Sequence, residues 1–403
     1  MFERTLFSSY ESIFKVLFTN SINFISSIFK LALYYWFKLK VYLWGKNPCK
    51  ISSCTKIEAE YAKKGLFKRD FSWQTFLKED GHVYQRSLAT KEKYIAVSQT
   101  ETKLVKEPDR FLFLGNNAGI ISDLGIIYNK ELDTVVAETL EHLGNEISYS
   151  TQFSHIDYQK SDPIKGVSLS ICSLFGNTNY AHFLFDAIPK IYLAKDLLSY
   201  TNNILISGAK QPFQSKILDY LNLKQNLIWL EPESHLECEQ LLFTSRLNHL
   251  SHVSPWGVNA VRKLFLQDDI VNIKKPQKIV FASRKSSSIR KTNLEDVVTA
   301  NLPDAEIIEF SDLSLSQTIE VCQECSLFIG FHGAAFANLA FCNPGIKVIE
   351  LQLENSVYKT KYYFYSMAKY LKMDYQILTL SESMSSSDIK SIIDKNIGSL
   401  ANV

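Results

Sequence analysis

The sequence predicts an α/β protein built as two doubly wound halves facing a cleft, and three observations predict it. From Val167 onward short apolar runs alternate with helical patterns, the mark of parallel sheets covered by helices. The alternation restarts at Ile279 after a break around Leu266–Lys278, so it forms two series rather than one. The length, 403 residues, exceeds one comfortable core. The division expected is an N-terminal segment 1–46, a first domain 47–268, a second domain 269–385 and a C-terminal helix 386–403.

Residues 1–46 are rich in Phe, Leu, Ile, Tyr and Trp, with Arg4, Lys15, Lys30, Lys38, Lys40 and Lys46 spread among them. The longest uncharged stretch, Val16–Phe29, is short and carries Thr19, Asn20, Ser21 and Asn23, whereas a spanning helix needs about 20 apolar residues. A signal peptide's layout is missing too. The pattern fits an amphipathic cationic helix lying on an anionic membrane surface. A helix packed on the protein's own body is the alternative.

Between Asn47 and Gly166 the signals are weaker. Helical fragments are expected near Lys56–Lys64 and strands near His82–Leu88 and Tyr94–Val97. Arg110–Leu114, Gly119–Ile121, Gly125–Tyr128 and Thr134–Val136 read as short strands separated by Asn, Gly and Asp turns, a small β meander. The first series then places strands at Val167–Phe175, Ile204–Ser207, Leu227–Leu230 and Leu241–Thr244. Its helices start near Tyr180 and cover Phe213–Leu223 and Trp256–Leu266. The second series has strands Ile279–Ala282, Ala305–Phe310 and Tyr375–Leu380, with helices Asn293–Asn301, Leu315–Cys325, Tyr362–Leu371 and Asp388–Ile397.

The most informative stretch is Ser326–Leu351. Leu327–Phe331 is a buried-strand run, and His332-Gly333-Ala334-Ala335 follows with nothing wider than a methyl after the histidine. So narrow a backbone admits a ligand closely, and a helix starting there aims N–H groups and the positive end of its dipole at it. Asn343-Pro344-Gly345 ends that helix, and Lys347–Leu351 is a second strand carrying Glu350 near its end, placed to hold a ribose. Close helix–sheet packing needs the same small residues, so the pattern alone leaves both readings open.

Two other clusters carry chemistry. His182 and Asp186 are four apart at the start of a helix that follows a strand, so they share one face. There the carboxylate can orient the imidazole as a general base, or act as the base itself. Asn179 and Tyr180 precede them as acceptor-side or supporting groups. Past strand Ile279–Ala282 lie Ser283-Arg284-Lys285, Arg290 and Lys291, cations that can neutralise a diphosphate, Arg284 bidentately. Asn293 is placed to cap the following helix. Solvated surface charge is the alternative for each cluster.

Other classes are disfavoured. A net charge of +2 does not suit a nucleic-acid partner. There is no Gly-x-Gly-x-x-Gly for a dinucleotide and no Gly-x-Ser-x-Gly elbow. No Asp-x-Asp is present to hold a metal on a nucleotide diphosphate, so no metal or other cofactor is expected. The seven cysteines, odd in number and irregularly spaced, suit a reducing compartment. Cys322 and Cys325 read as buried small apolar residues.

Taken in order, Asn179-Tyr180-x-His182-Phe183-x-x-Asp186-x-x-Pro189, Ser283-Arg284-Lys285 with Arg290 and Asn293-x-Glu295, and Gly330-x-His332-Gly333-Ala334 through Asn338, Phe341, Pro344-Gly345 and Glu350-Leu351 resemble glycosyltransferase family 61. Lys285 stands where the family often has a second arginine, and Ala335 where it often has glycine. The resemblance implies a GT-B-like fold of two Rossmann-like domains and an inverting, metal-independent glycosyl transfer from a nucleotide-sugar donor to a glycan or lipid-linked glycan. It implies donor contacts from Arg284, Lys285, Arg290, His332, Gly333, Ala334, Asn338 and Glu350, and catalysis by Asp186 or His182. It also implies a role in capsule or other surface polysaccharide assembly, in the cytoplasm at the inner face of the cell membrane. A pyruvyltransferase-like enzyme and a non-catalytic glycan-binding subunit on the same fold remain as alternatives.

Overall fold

A computed structural model describes residues 110–121, 123–129, 134–136, 139, 162–232, 234–248, 252–266, 276–286, 292–354 and 363–397. It also describes the strand backbone at 50–52, 67–68, 83–88, 93–97 and 102–106. The segment 1–46, the expected helix near Lys56–Lys64, Arg290 and Lys291 lie outside the described residues.

The first half is built on one mixed sheet of ten described strands. Its chain order is β1 (Lys50–Ser52), β2 (Phe67–Lys68), β3 (Val83–Leu88), then a separate hairpin β4 (Lys93–Val97) and β5 (Thr102–Lys106). β6 (Arg110–Ile121), β7 (Ile126–Asn129), β8 (Thr134–Val136), β9 (Ile164–Ser170), β10 (Asn203–Ser207), β11 (Asn226–Leu230) and β12 (His235–Thr244) follow. The spatial order is β1-β8-β7-β6-β12-β9-β10-β11, with β3 also on β6 and β2 on β3. Strands β12, β9, β10 and β11 run parallel, while β6 joins β12 antiparallel. The expected meander is therefore an extension of the main sheet, not a separate layer. Its first two strands are one: β6 runs straight through Gly115-Asn116-Asn117 because β12 pairs with it on both sides of that tripeptide, from Leu112 to Ile121. Ladder pairing overrides the local turn preference of that tripeptide.

The second half is a five-stranded, all-parallel sheet of β13 (Lys278–Ala282), β14 (Ala305–Ile308), β15 (Cys325–Phe331), β16 (Lys347–Leu353) and β17 (Asp374–Leu380). Its order is β14-β13-β15-β16-β17. Strand order reverses between β13 and β15, and in such sheets the crevice outside the carboxyl ends at that point takes ligands. The first half has its own reversal. β9, β10 and β11 progress one way, and β12 returns to the other side of β9.

A helix α1 leaves the end of β9. It is α-helical at Tyr180–His182, widens to a π turn over Phe183–Ala187, and is α-helical again at Ile188–Leu193. The other helices used below are α2 (Pro212–Leu221), α3 (Pro255–Phe265), α4 (Leu294–Ala300), α5 (Leu315–Glu324), α6 (Tyr365–Tyr370) and α7 (Ser386–Ile397). Gln211 and Gln214 form a capping box on α2, as Ser314 and Gln317 do on α5. Helix α7 buries Ile389 and Ile393 against the second sheet and belongs to that half.

The halves meet on an apolar seam. One cluster unites Phe183, Leu184 and Phe185 of α1 and Phe265 of α3 with Phe328 of β15 and with Phe336 and Phe341 beyond it. Phe265 and Phe341 meet edge-on at 5.7 Å. Truncating a fully buried phenylalanine of this kind costs about 3–5 kcal/mol. Polar ties cross as well. Arg262 donates to the carbonyls of Ala340 and Cys342, each at 2.7 Å, and Ser366 donates to Val253 O at 2.8 Å. The expected cleft is thus floored by a common core. Cys322, Cys325 and Cys342 lie in that core, fully buried and free.

Candidate active site

The first-half side of the site is the start of α1. Strand β9 stops at Ser170, earlier than its apolar pattern predicts, and residues 171–179 turn into α1. Asn179 caps the helix, its Oδ1 accepting from the N–H of Ala181 at 2.9 Å and of His182 at 3.4 Å. His182 Nδ1 then meets Asp186 Oδ2 at 2.8 Å. The second carboxylate oxygen is taken too: Asn248 Nδ2 donates to Asp186 Oδ1 at 3.1 Å and to Phe185 O at 2.5 Å. A π turn, which recurs at functional sites, carries Asp186.

Asn248 is invisible in the sequence pattern, 62 residues from Asp186. It is 3% exposed, and its Oδ1 accepts from Ser254 N–H at 2.9 Å. Ser254 caps α3, and Gly257 lies on the amide: a Cβ there would meet Asn248 Oδ1 at 2.9 Å. So the start of α3 fixes Asn248, Asn248 fixes Asp186, and Asp186 fixes His182. With a carboxylate on Nδ1, the neutral ring carries its proton there and presents Nε2 as the basic atom. The rings of Phe175 at 5.3 Å and Tyr363 at 5.8 Å flank His182. Phe175 is 49% exposed and holds a left-handed backbone, φ 61°, a conformation uncommon for a bulky residue and found at functional turns.

The second-half side is the β13/β15 reversal. Arg284 follows β13 and donates from Nη1 to His332 O at 2.8 Å. Its guanidinium lies over Gly333, whose added Cβ would stand 3.7 Å away, an ordinary contact. Gly333 is extended, with φ 175° and ψ 179°, so neither strain nor crowding inside the protein demands a glycine there. The helix it opens, Ala334–Phe341, is a 3₁₀ helix rather than an α-helix, and Gly333 caps it without a side chain. The N–H groups of its first turn have no partner within the helix.

A second histidine–carboxylate pair sits here. His332 Nδ1 meets Glu350 Oε1 at 2.6 Å. Glu350 is fully buried, and it also accepts from Gln352 at 2.5 Å and from the Tyr375 hydroxyl. Burial, together with the Glu350 charge, pushes the Tyr375 phenol far up, so it stays a donor. Glu350 is placed as the support of His332, with no face left for a ribose. The two histidines belong to one region. Tyr363, beside His182, packs at 4.8 Å against Phe364, which lies 6.3 Å from the His332 ring.

The remaining sequence candidates divide. Tyr180 and Asn338 meet across the halves, hydroxyl to Oδ1 at 2.6 Å, with Asn338 only 1% exposed. Asn338 is thereby occupied in joining α1 to the 3₁₀ helix rather than turned to a donor. Burial pushes the Tyr180 phenol up. Lys285 turns outward, its ammonium 2.6 Å from Asp296 of α4, which raises its pKa. Its charge is spent at the surface, because the backbone past Arg284 is held by other carboxylates. Buried Glu295 accepts from Ser283 Oγ at 2.7 Å and from Arg284 N–H, and Glu309 accepts from Ser286 N–H at 2.8 Å. Burial disfavours the Glu309 charge, but the Ser286, Ser283 and Lys285 donors outweigh it and hold the carboxyl below its usual range. Asn293 makes no capping bond; Thr292 Oγ1 accepts from Leu294 N–H instead. Glu295, legible only as part of a motif, acts as the clamp of the Arg284 turn.

A helical histidine–carboxylate pair linked through Tyr363 and Phe364 to a second histidine beside Arg284 brings ionisable groups of both halves into one region, an arrangement suited to group transfer between two bound substrates. Residues 180–349 match the family model described as Glycosyltransferase 61. The chain is a glycosyltransferase, and over those residues, from α1 into β16, it is similar to glycosyltransferase family 61. No curated protein matches. Among solved structures it is similar to that of the bacterial iron-containing dodecameric glycosyltransferase TibC from enterotoxigenic E. coli H10407. That likeness has 10% identity, covers 68% of this chain and 78% of the other, and has a TM-score of 0.24, too low to carry an argument. Among the described residues no helix is long and apolar enough to cross a membrane.

Proposed function

We propose that this enzyme is an inverting, metal-independent glycosyltransferase that moves a sugar from a nucleotide-sugar donor to a glycan or lipid-linked glycan in surface polysaccharide assembly, on a GT-B-like pair of domains. The observation that carries the reading is the pairing, in one region, of the His182–Asp186–Asn248 chain with Arg284 over Gly333 and His332 on Glu350.

The donor diphosphate lies against Arg284, the Gly333 turn and the first N–H groups of the 3₁₀ helix. His332, held by buried Glu350, lies against the phosphates. Ala334 contributes its backbone, and its small side chain leaves the approach open. The acceptor hydroxyl enters from α1. His182 Nε2 takes its proton as the oxygen bonds to the anomeric carbon, the carbon–phosphate-oxygen bond breaks on the opposite face, and the nucleoside diphosphate leaves. Because both Asp186 oxygens already have donors, Asp186 is the orienting partner and His182 the base. Exposed Phe175 and the Tyr363 ring offer the acceptor sugar apolar faces. Placement in the cytoplasm, with segment 1–46 against the membrane's inner face, fits a lipid-linked acceptor.

Thermal-shift measurements of the whole chain test the donor site. Stabilisation by UDP, GDP or CMP, lost in Arg284→Gln, is expected. Stabilisation by phosphoenolpyruvate with no response to nucleotides would overturn the reading.

A further inference from the structure

A second group of cations lies one turn along α1 from Asp186. Lys190 is 7% exposed, and its ammonium donates to Cys172 O. Arg246, after β12, donates from Nε to Asn248 O at 2.6 Å. Both line a small, partly open cavity with Ser170, Cys172, Thr244 and Gly125, large enough for a water-sized group. It sits at the carboxyl ends of β9 and β12, where the first sheet reverses its strand order. That is the position in the first half corresponding to the Arg284–Gly333 turn in the second.

Neither cation is in a direct ion pair there, although buried Asp123 lies close enough to act, with Lys190, on the Cys172 thiol. Among the described residues no carboxylate pairs with Lys190 or Arg246. Asp186 is held by His182 and Asn248, and Asp123 by the Asn177 amide at 2.6 Å. A buried ammonium with one carbonyl partner retains two N–H donors. The lining hydroxyl of Thr244 is already donated, to Ser245 O at 2.9 Å. Convergent cationic donors around an oxygen-sized space select an anionic oxygen over a neutral hydroxyl.

We propose that this cavity binds an anionic oxygen of the acceptor, a carboxylate or phosphoryl oxygen, and so makes the enzyme select an acidic or phosphorylated acceptor. The inference rests on the reading of α1 as the acceptor side. From His182 to Lys190 is two helical turns, about 12 Å, so the charged group stands away from the hydroxyl that reacts.

The test is a thermal-shift titration of the full chain with inorganic phosphate, D-glucuronate and D-glucose, on wild type, Lys190→Met and Arg246→Gln. Lys190→Met keeps the buried stem; Arg246→Gln serves if that variant fails to fold. Phosphate, glucuronate or both stabilise the wild type and glucose does not, and each variant requires about tenfold more anion or more. A response to phosphate alone assigns a phosphorylated acceptor, and a response to glucuronate an acidic sugar. No anion response, a response unchanged in both variants, or a phosphate response lost only in Arg284→Gln overturns the proposal. UDP stabilisation, read in parallel, reports the donor site. Its failure would sink the proposed function, whereas anion failure alone would sink only this site.

Discussion

Asn248 offers the sharpest test of how the proposed base is held. Asn248→Asp preserves shape and keeps an acceptor for Ser254 N–H, but replaces the amide that donates to Asp186 Oδ1 at 3.1 Å and to Phe185 O at 2.5 Å. Two carboxylates at that spacing cannot both stay ionised, so one proton is shared between them. Asp186 then loses part of its pull on the His182 N–H, and the ring loses orientation. The expected result is a fall in kcat on the order of 10- to 100-fold, about 1.4–2.7 kcal/mol, with the donor KM unchanged. Asn248→Ala removes the whole network from a site that is 3% exposed, leaving Ser254 N–H, Phe185 O and one Asp186 oxygen unmatched. At about 1–3 kcal/mol per unsatisfied group, with overlap, its stability falls by roughly 3 kcal/mol. Steady-state kinetics with a nucleotide-sugar donor, beside urea unfolding of each variant, provides the assay. If Asn248→Asp kept full kcat, or if kcat and KM changed together in proportion to lost stability, the positioning argument would be wrong.

Other outcomes follow from the same geometry. Gly333→Ala adds a methyl at an ordinary 3.7 Å from Arg284, so unfolding temperature should hold while nucleotide affinity drops about tenfold; intact affinity in calorimetry would show that no phosphate lies there. Glu350→Gln leaves His332 without its carboxylate in a fully buried site, and should weaken nucleotide binding while sparing the His182 side, read as a donor KM effect. Glu309, whose folded pKa is depressed, contributes stability that is fully present above its unfolded value. That contribution is lost as pH falls through the folded one, below the usual carboxylate range. Glu309→Gln should therefore flatten the acid limb of a stability–pH curve, and an unchanged limb would remove the Ser283–Ser286 clamp from the account.

The parts of this architecture that local pattern can carry were legible. The alternation after Val167 and Ile279 locates most strands and helices of both sheets, because buried parallel strands and helical faces have distinct periods. The spacing of His182 and Asp186 on one helix face, and the narrow turn at Gly333, were readable for the same reason. What was hidden depends on contacts distant in sequence. Asn248 carries no local signature, since its meaning lies in a carboxylate 62 residues away. Glu350 reads as a strand-end acid open to a ribose until Tyr375 and Gln352 are seen to fill its oxygens. Lys285 reads as part of a cationic cluster until Asp296 draws it off. The turn residues Gly115-Asn116-Asn117 mislead because β12 pairs straight past them.

The account turns on a hydroxyl losing its proton to His182 while the diphosphate stays with the second half. Single-turnover transfer by His182→Gln, measured beside its nucleotide affinity, tests that most directly. The expectation is a loss of transfer of at least about 100-fold, the usual scale for a positioned base, with nucleotide affinity unchanged. Transfer within about twofold of wild type, on that scale, would contradict it.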